Sequence, residues 1–324
     1  MRRREFVTSS CALVVTGIRP VQSQSLRNIG VLLGTANDAE GQARLVAFKQ
    51  ALEQIGWVDG KNVTIDVHWI SSDKTAARAQ AQKLSENAEV ILAANTISVE
   101  TLRTVTEKPI IFVSVFDPVH SGFINNVRRP GSNITGFTNH EPSMGYKWIE
   151  HLSGISPNIS SIGLMFNATT APMTEGFFAN FFKPAGLRLG VSTRLVRVQD
   201  ASEIDGIFHD AAKARGGLAM MADPFTTNHR KHIVDTAIRY SVPTAYPWTF
   251  FVKIGGLFSF GVDLIDIFRR AASYVDRVLK GQTPGELPVQ SPSKFELAVN
   301  LKTAASMGLT VPERITVLAD TVIE

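Results

Sequence analysis

Two short stretches constrain this chain more than anything else in it. Val90-Ile91-Leu92-Ala93-Ala94 and Ile110-Ile111-Phe112-Val113 are unbroken apolar runs. They are too short to span a bilayer or to make a buried helix. Such runs are strands covered on both faces, and strands of that kind belong to parallel sheets with helices packed above and below. The flanking sequence agrees. Ile29–Leu33 is a third short apolar strand. A helix is predicted over Glu40–Ile55, where Leu45, Phe48, Leu52 and Ile55 share one face and Gly56 stops it. Val63, Ile65, Val67 and Trp69 alternate with polar residues, the pattern of a strand near a sheet edge.

The strand–helix alternation runs to Asn133–Thr138 and then begins again. Helices are predicted near Met144–Leu152, Met173–Leu187, Glu203–Ala214, Thr227–Tyr240 and Leu264–Leu279. Strands are predicted at Ser161–Phe166, Ser192–Val198, Leu218–Ala222, Pro243–Tyr246, Leu257–Gly261 and Glu296–Asn300. Two successive βαβ series with short connections imply an α/β fold of two doubly wound parallel-sheet lobes. The late elements cannot all extend the second lobe, so the lobes are expected to share several chain crossings, a multi-strand hinge. The expected division is residues 24–139 plus 258–286 for lobe 1, and 140–257 plus 287–324 for lobe 2.

Residues 1–23 read as an export signal. Arg2-Arg3-Arg4 precede a mainly apolar stretch from Val7 to Ile18, too short for a transmembrane helix. Arg3-Arg4-Glu5-Phe6-Val7 resembles a twin-arginine signal, and Val21-Gln22-Ser23 offers a cleavage site before Gln24. The expected location is the periplasm, with the signal removed. Without the leader, 29 basic residues face 28 acidic ones. A near-neutral body excludes a broad electrostatic footprint for nucleic acid. Cys11 is the only cysteine. The remaining chain therefore has no structural disulfide, cysteine metal site or thiol chemistry.

Open parallel sheets bind ligands beyond the carboxyl ends of their strands. The polar residues that follow each strand are therefore the candidates: Thr35 and Asn37; Asn95, Thr96 and Ser98; Asp117; Asn139; Asn167; Asp223; and Tyr246. Asn, Asp, Ser and Thr are also the preferred helix N-caps, so any one of these positions has that competing explanation. Phe116, Tyr246 and Trp248 are placed to cover an apolar or aromatic guest. The Phe177, Phe178, Phe181, Phe182 set at helical spacing reads as core packing. His229 and His232 are flanked by Arg230 and Lys231 and read as a solvated face. The chain contains no dinucleotide-binding glycine fingerprint, phosphate-binding loop, nucleophile elbow or His-Glu-x-x-His motif. No catalytic residue, metal or cofactor is expected. His140 is the one base near the site that an enzyme reading could use.

Several motifs together carry a resemblance. They are Phe48-Lys49-Gln50-Ala51-Leu52, Gly56-Trp57-Val58-Asp59-Gly60-Lys61-Asn62, Asp117-Pro118-Val119, and Arg129-Pro130-Gly131-Ser132-Asn133-Ile134-Thr135-Gly136. Asp223-Pro224-Phe225, Gly255-Gly256-Leu257 and Pro292-Ser293-Lys294-Phe295-Glu296-Leu297-Ala298-Val299-Asn300 complete the set. Over essentially its whole length the chain resembles ABC-transporter substrate-binding proteins with a type 1 periplasmic-binding fold, in the subgroup with tryptophan-binding-type proteins. The resemblance implies a monomeric receptor that captures a small solute between its lobes and presents it to a permease in the inner membrane. It implies an amino acid or other small carboxylate as the solute, aromatic and branched side chains included. The carboxylate is expected at Thr96 and Ser98, and an ammonium group at Asp223 or Asp117. Departures at Asn95-Thr96, Trp248-Thr249-Phe250 and Phe260-Gly261-Val262 make the second wall less charged than in relatives. A ligand-binding adaptor for a membrane kinase or chemoreceptor is the alternative with the same fold and pocket.

Overall fold

The computed structural model describes residues 26–35, 37–70 and 74–324. The expected export signal, residues 1–23 with Cys11, lies outside them. The first lobe runs through β1 (Arg27–Leu33), α1 (Ala39–Gln54), β2 (Val63–Trp69), α2 (Lys74–Asn87), β3 (Val90–Ala94), α3 (Thr96–Leu102), β4 (Ile110–Val115) and β5 (Ile134–Thr138). Its five strands are parallel in the order β2-β1-β3-β4-β5. All five residues of β3 are buried, as an apolar run between two helical layers requires.

The second lobe begins with α4 (Ser143–Ile155) and β6 (Ser161–Phe166). The long helix expected over Met173–Leu187 is three pieces: α5 (Thr174–Phe177), a π-helical turn (Phe178–Phe182) and α6 (Lys183–Leu189). Pro184 opens α6. With no N–H to give, it cannot continue the α-helical ladder, and the widened turn absorbs the break. Then come β7 (Ser192–Arg197), α7 (Ile204–Lys213), β8 (Gly217–Met220), α8 (Pro224–Asn228), α9 (Arg230–Arg239), β9 (Thr244–Tyr246), α10 (Thr249–Lys253) and β10 (Phe258–Val262).

The chain next makes α11 (Leu264–Leu279) in the first lobe, then returns through β11 (Phe295–Asn300), α12 (Leu301–Ser306), α13 (Glu313–Leu318) and β12 (Thr321–Ile323). The second sheet has the order β12-β11-β10-β9-β8-β6-β7, parallel except at the antiparallel β10–β11 pair. One boundary expected from sequence is corrected here. Phe258–Val262 pairs with β9 and β11 in the second sheet, so the first lobe regains the chain at α11 and not at residue 258. α11 packs on α1 and over β3, β4 and β5 through Ile267, Phe268, Ala271, Ala272 and Val275. The Trp57 indole N–H fastens it by donating to Asp276 at 2.8 Å.

Three crossings connect the lobes, after β5, after β10 and before β11, and they are stitched to one another. Thr138 N–H donates to the Gln290 carbonyl at 2.9 Å, and Gln290 N–H returns to the Gly136 carbonyl at 2.9 Å. Asp263 N–H donates to the Lys294 carbonyl at 3.1 Å, and the Lys294 ammonium reaches the Asp263 carboxylate at 2.8 Å. Gly261 sits so close to Pro247 that a Cβ there would fall 1.7 Å from its carbonyl oxygen. Only glycine permits that approach. No helix among the described residues is long and apolar enough to cross a membrane.

Candidate functional site

The carboxyl ends of both sheets face the cleft between the lobes, which encloses a cavity of about 380 Å³. That is the scale of a site for a small organic molecule. Six of the residues expected from sequence line it: Thr35, Asn95, Thr96, Phe116, Asn139 and Trp248. Strand irregularity aims part of this wall. Asn95 (φ 75°) and Ser114 (φ 59°) both hold left-handed backbone, and the β4–β5 register shifts at Ser114. Strained positions of this type gather at functional sites. Asn95 Nδ2 donates to the Gly34 carbonyl at 2.6 Å, while its Oδ1 accepts from Ser98 N–H at 3.1 Å. The loops after β1 and β3 are thereby locked together.

The other six expected residues lie outside the cavity lining, each for a visible reason. Asn37 is exposed and accepts from Gln42 at 2.6 Å. Ser98 is buried, its hydroxyl donating to the Ala94 carbonyl at 2.7 Å. Asp117 accepts from His120 N–H at 3.0 Å and closes its own turn. Tyr246 is fully buried and stacks on Phe251 at 4.9 Å. Burial pushes its phenol pKa far up.

Asn167 and Asp223 work beneath the wall. Asn167 Oδ1 accepts from Thr169 N–H at 2.9 Å and Thr170 N–H at 3.1 Å. Asp223 accepts from Asn167 N–H at 2.7 Å, Phe225 N–H at 2.7 Å and the Thr170 hydroxyl. These bonds shape the loop whose Thr170, Pro172 and Met173 line the cavity. Asp223 is 0% exposed, and burial raises its carboxyl pKa against the pull of its three donors. The expected ammonium partner is thus a cap and loop brace with no face on the cavity.

The residue that sequence reading missed is Arg44. It lines the cavity from α1 at 9% exposure. Among the described residues its guanidinium has no hydrogen-bond or ion-pair partner, and its contact is the face of Phe250, 5.9 Å away in the second lobe. Burial lowers its pKa from the ordinary arginine value, with Glu40 and Asp38 opposing that shift and Arg230 adding to it. A buried, unpaired guanidinium is costly unless something anionic meets it. A signal for it existed in the sequence, since Arg44 falls in step with Gly41, Phe48 and Ala51 on the buried face of α1.

Two further polar groups bear on what the cavity can hold. Asn139 is 7% exposed, and among the described residues its Oδ1 has no donor. Glu100 contributes an exposed carboxylate to the lining from α3. Hydroxyl, amide and imidazole side chains such as Ser121, Thr227, Asn228 and His120 also line it, and its apolar surface comes from Ile97, Phe116, Met173, Met221, Trp248, Leu264 and Phe268. His140 lies behind this wall, with its ring 4.1 Å from Phe116 and its Nδ1 unpaired. Burial holds its pKa down at about 4, so the ring is neutral at ordinary pH. His229 and His232 are far from forming a centre: His232 pairs with Asp205 at 2.8 Å. No group of metal-ligating side chains occurs among the described residues.

The sequence pattern of a family described as "ABC transporter substrate binding protein" matches residues 29–323. The chain belongs to that family. A tyrosine-binding protein of Clostridioides difficile (strain R20291) is 23% identical to this substrate-binding protein over 298 residues, 90% of this chain and 84% of the relative. A Streptococcus pneumoniae domain solved in complex with L-Trp superposes with a TM-score of 0.84 at 22% identity, covering 92% of this chain and all of that one. A ligand-free, open substrate-binding protein from Clostridium difficile superposes with a TM-score of 0.72 at 20% identity, over 92% of this chain and 99% of that one. These likenesses establish the two-lobed periplasmic-binding fold of type 1.

Proposed function

We propose that this substrate-binding protein is a periplasmic receptor for a free α-amino acid with an aromatic side chain, which it delivers unaltered to an ABC importer. The observation that carries the reading is Arg44, a buried guanidinium with no hydrogen-bond or ion-pair partner among the described residues, on the wall of a cavity whose surface is mainly apolar. A carboxylate is the natural complement, because a charge-assisted, bidentate pair offsets the cost of burying the cation. That contact replaces the one expected at Thr96 and Ser98. An ammonium group finds the unpaired Asn139 Oδ1 and the Glu100 carboxylate. Phe116, Trp248 and Phe268 give an apolar side chain its surface. The relatives named for tyrosine and L-Trp point the same way.

The guest touches walls from both lobes, so binding favours the closed arrangement over any open one, and the stitched crossings supply the hinge. The permease then recognises the closed form. The test is a thermal-shift and calorimetric screen of the purified protein against the amino acids, followed by amide and deaminated analogues of the best hit. An aromatic amino acid should raise the melting temperature most, and the amide should bind far more weakly. A protein that no amino acid stabilises would refute the reading.

A further inference from the structure

Arg44 is unpaired although two carboxylates stand beside it. Asp38, the N-cap of α1, and Glu40, in its first turn, both bias its titration. Neither is bonded to it. Asp38 is held at 2.7 Å by Arg230 of α9, and Glu40 at 3.3 Å by Lys253 of α10. Both cations come from the opposite lobe. Phe250, also from that lobe, meets both Arg44 and Arg230, whose guanidinium carbons are 5.9 and 5.8 Å from its ring centre. In this arrangement each of the two carboxylates beside Arg44 is engaged by a cation of the other lobe, and Arg230 stands near enough to oppose the Arg44 charge.

We propose that this is a counter-ion exchange that makes closure selective for guests bearing a carboxylate. With Asp38 and Glu40 neutralised across the cleft, the positive potential of Arg44 is left for the guest. A guest without an anionic group closes the lobes on an uncompensated buried charge, which opposes the closed state. Arg230 is thus a positioning residue for specificity: it acts on the guest through Asp38 and Arg44, without touching it. The inference rests on the amino-acid reading above and adds how the protein rejects neutral analogues.

The test compares L-tryptophan with L-tryptophanamide at about pH 6, where the α-amine of both is protonated. Titrations are run on the wild type, on Arg230→Gln, on Asp38→Asn and on the double variant. Asparagine at position 38 retains the helix cap, so the fold is kept. In Arg230→Gln the freed Asp38 charge falls on Arg44. Tryptophan should then weaken by about tenfold while the amide changes by less than about twofold. Adding Asp38→Asn should return tryptophan to within about threefold of the wild type, because the competing carboxylate is gone. If Arg230→Gln weakens both probes alike and Asp38→Asn restores nothing, the pair is only a clasp between lobes and the exchange is wrong. If the wild type binds tryptophan and its amide equally well, or binds neither these nor L-tyrosine and its amide, the amino-acid reading itself fails.

Discussion

Asn95 reaches across the cleft edge to Gly34, donating its amide to the glycine carbonyl at 2.6 Å while capping α3 through Ser98. Two loops that carry cavity residues are fixed by one side chain held at φ 75°. A Cβ at Gly34 would lie 2.6 Å from both the oxygen and the nitrogen of that amide. Gly34→Ala should therefore expel Asn95 from its place. We expect a loss of about 1–3 kcal/mol of stability together with ligand affinity, read by chemical denaturation and calorimetry. Full affinity in the variant would show that the loop pair does not need this lock.

Arg44→Met should separate stability from function. The substitution removes a buried cation with no partner among the described residues, so the empty protein gains about 1–2 kcal/mol. Affinity for a carboxylate-bearing ligand falls by about a hundredfold or more. Thermal unfolding with and without ligand measures both effects. A variant that is less stable when empty and still responds to ligand would contradict the assignment.

Asp223→Asn should behave as a structural change. An amide in that place cannot accept from Asn167 N–H, Phe225 N–H and the Thr170 hydroxyl in the same geometry. The expected cost is about 2–3 kcal/mol. The preference for an amino acid over its deaminated analogue should be unchanged, because Asp223 has no face on the cavity. A collapse of that preference, measured by paired titrations, would restore Asp223 to the ammonium site.

His140 should make the protein acid-sensitive in a defined window. Its folded pKa lies near 4 and its unfolded value near 6.5. The unfolded chain therefore binds the proton first as pH falls. Stability from this group is complete above pH 6.5, declines from there to about 4, and is level below it. The full effect is roughly 3 kcal/mol. His140→Leu should flatten that part of the stability–pH curve and cost less than about 1.5 kcal/mol at neutral pH. An unchanged curve would mean that another group titrates there.

What the sequence shows and what it hides divide along the range of the contacts involved. The bounds of α11 are legible because local chemistry marks them: Asp263 caps its start, and Gly281 and Pro284 stand past its end. The sheet to which Phe258–Val262 belongs is not legible, because the choice rests on antiparallel pairing with Phe295–Val299 far along the chain. At the site, reading the residue after each strand found the loops but not the direction of each side chain. Asn95 and Asn139 turn to the cavity, Asn95 while also capping α3, whereas the Ser98 hydroxyl is taken by a backbone carbonyl, Asp117 by its own turn and Asp223 by a helix cap. Arg44 escaped because charged residues on an amphipathic helix are ordinarily assigned to its solvated side. Only its phase relative to Phe48 and Ala51 betrayed it.

The first lobe obtains α11 from residues made after the whole second βαβ series. Until that helix emerges, the face of α1 and the sheet surface over β3 to β5 that it covers stay open. A nascent chain cut anywhere before it carries an exposed apolar surface and waits on its own final quarter. The lobe that comes first in synthesis is therefore completed only after the second series of strands has been made.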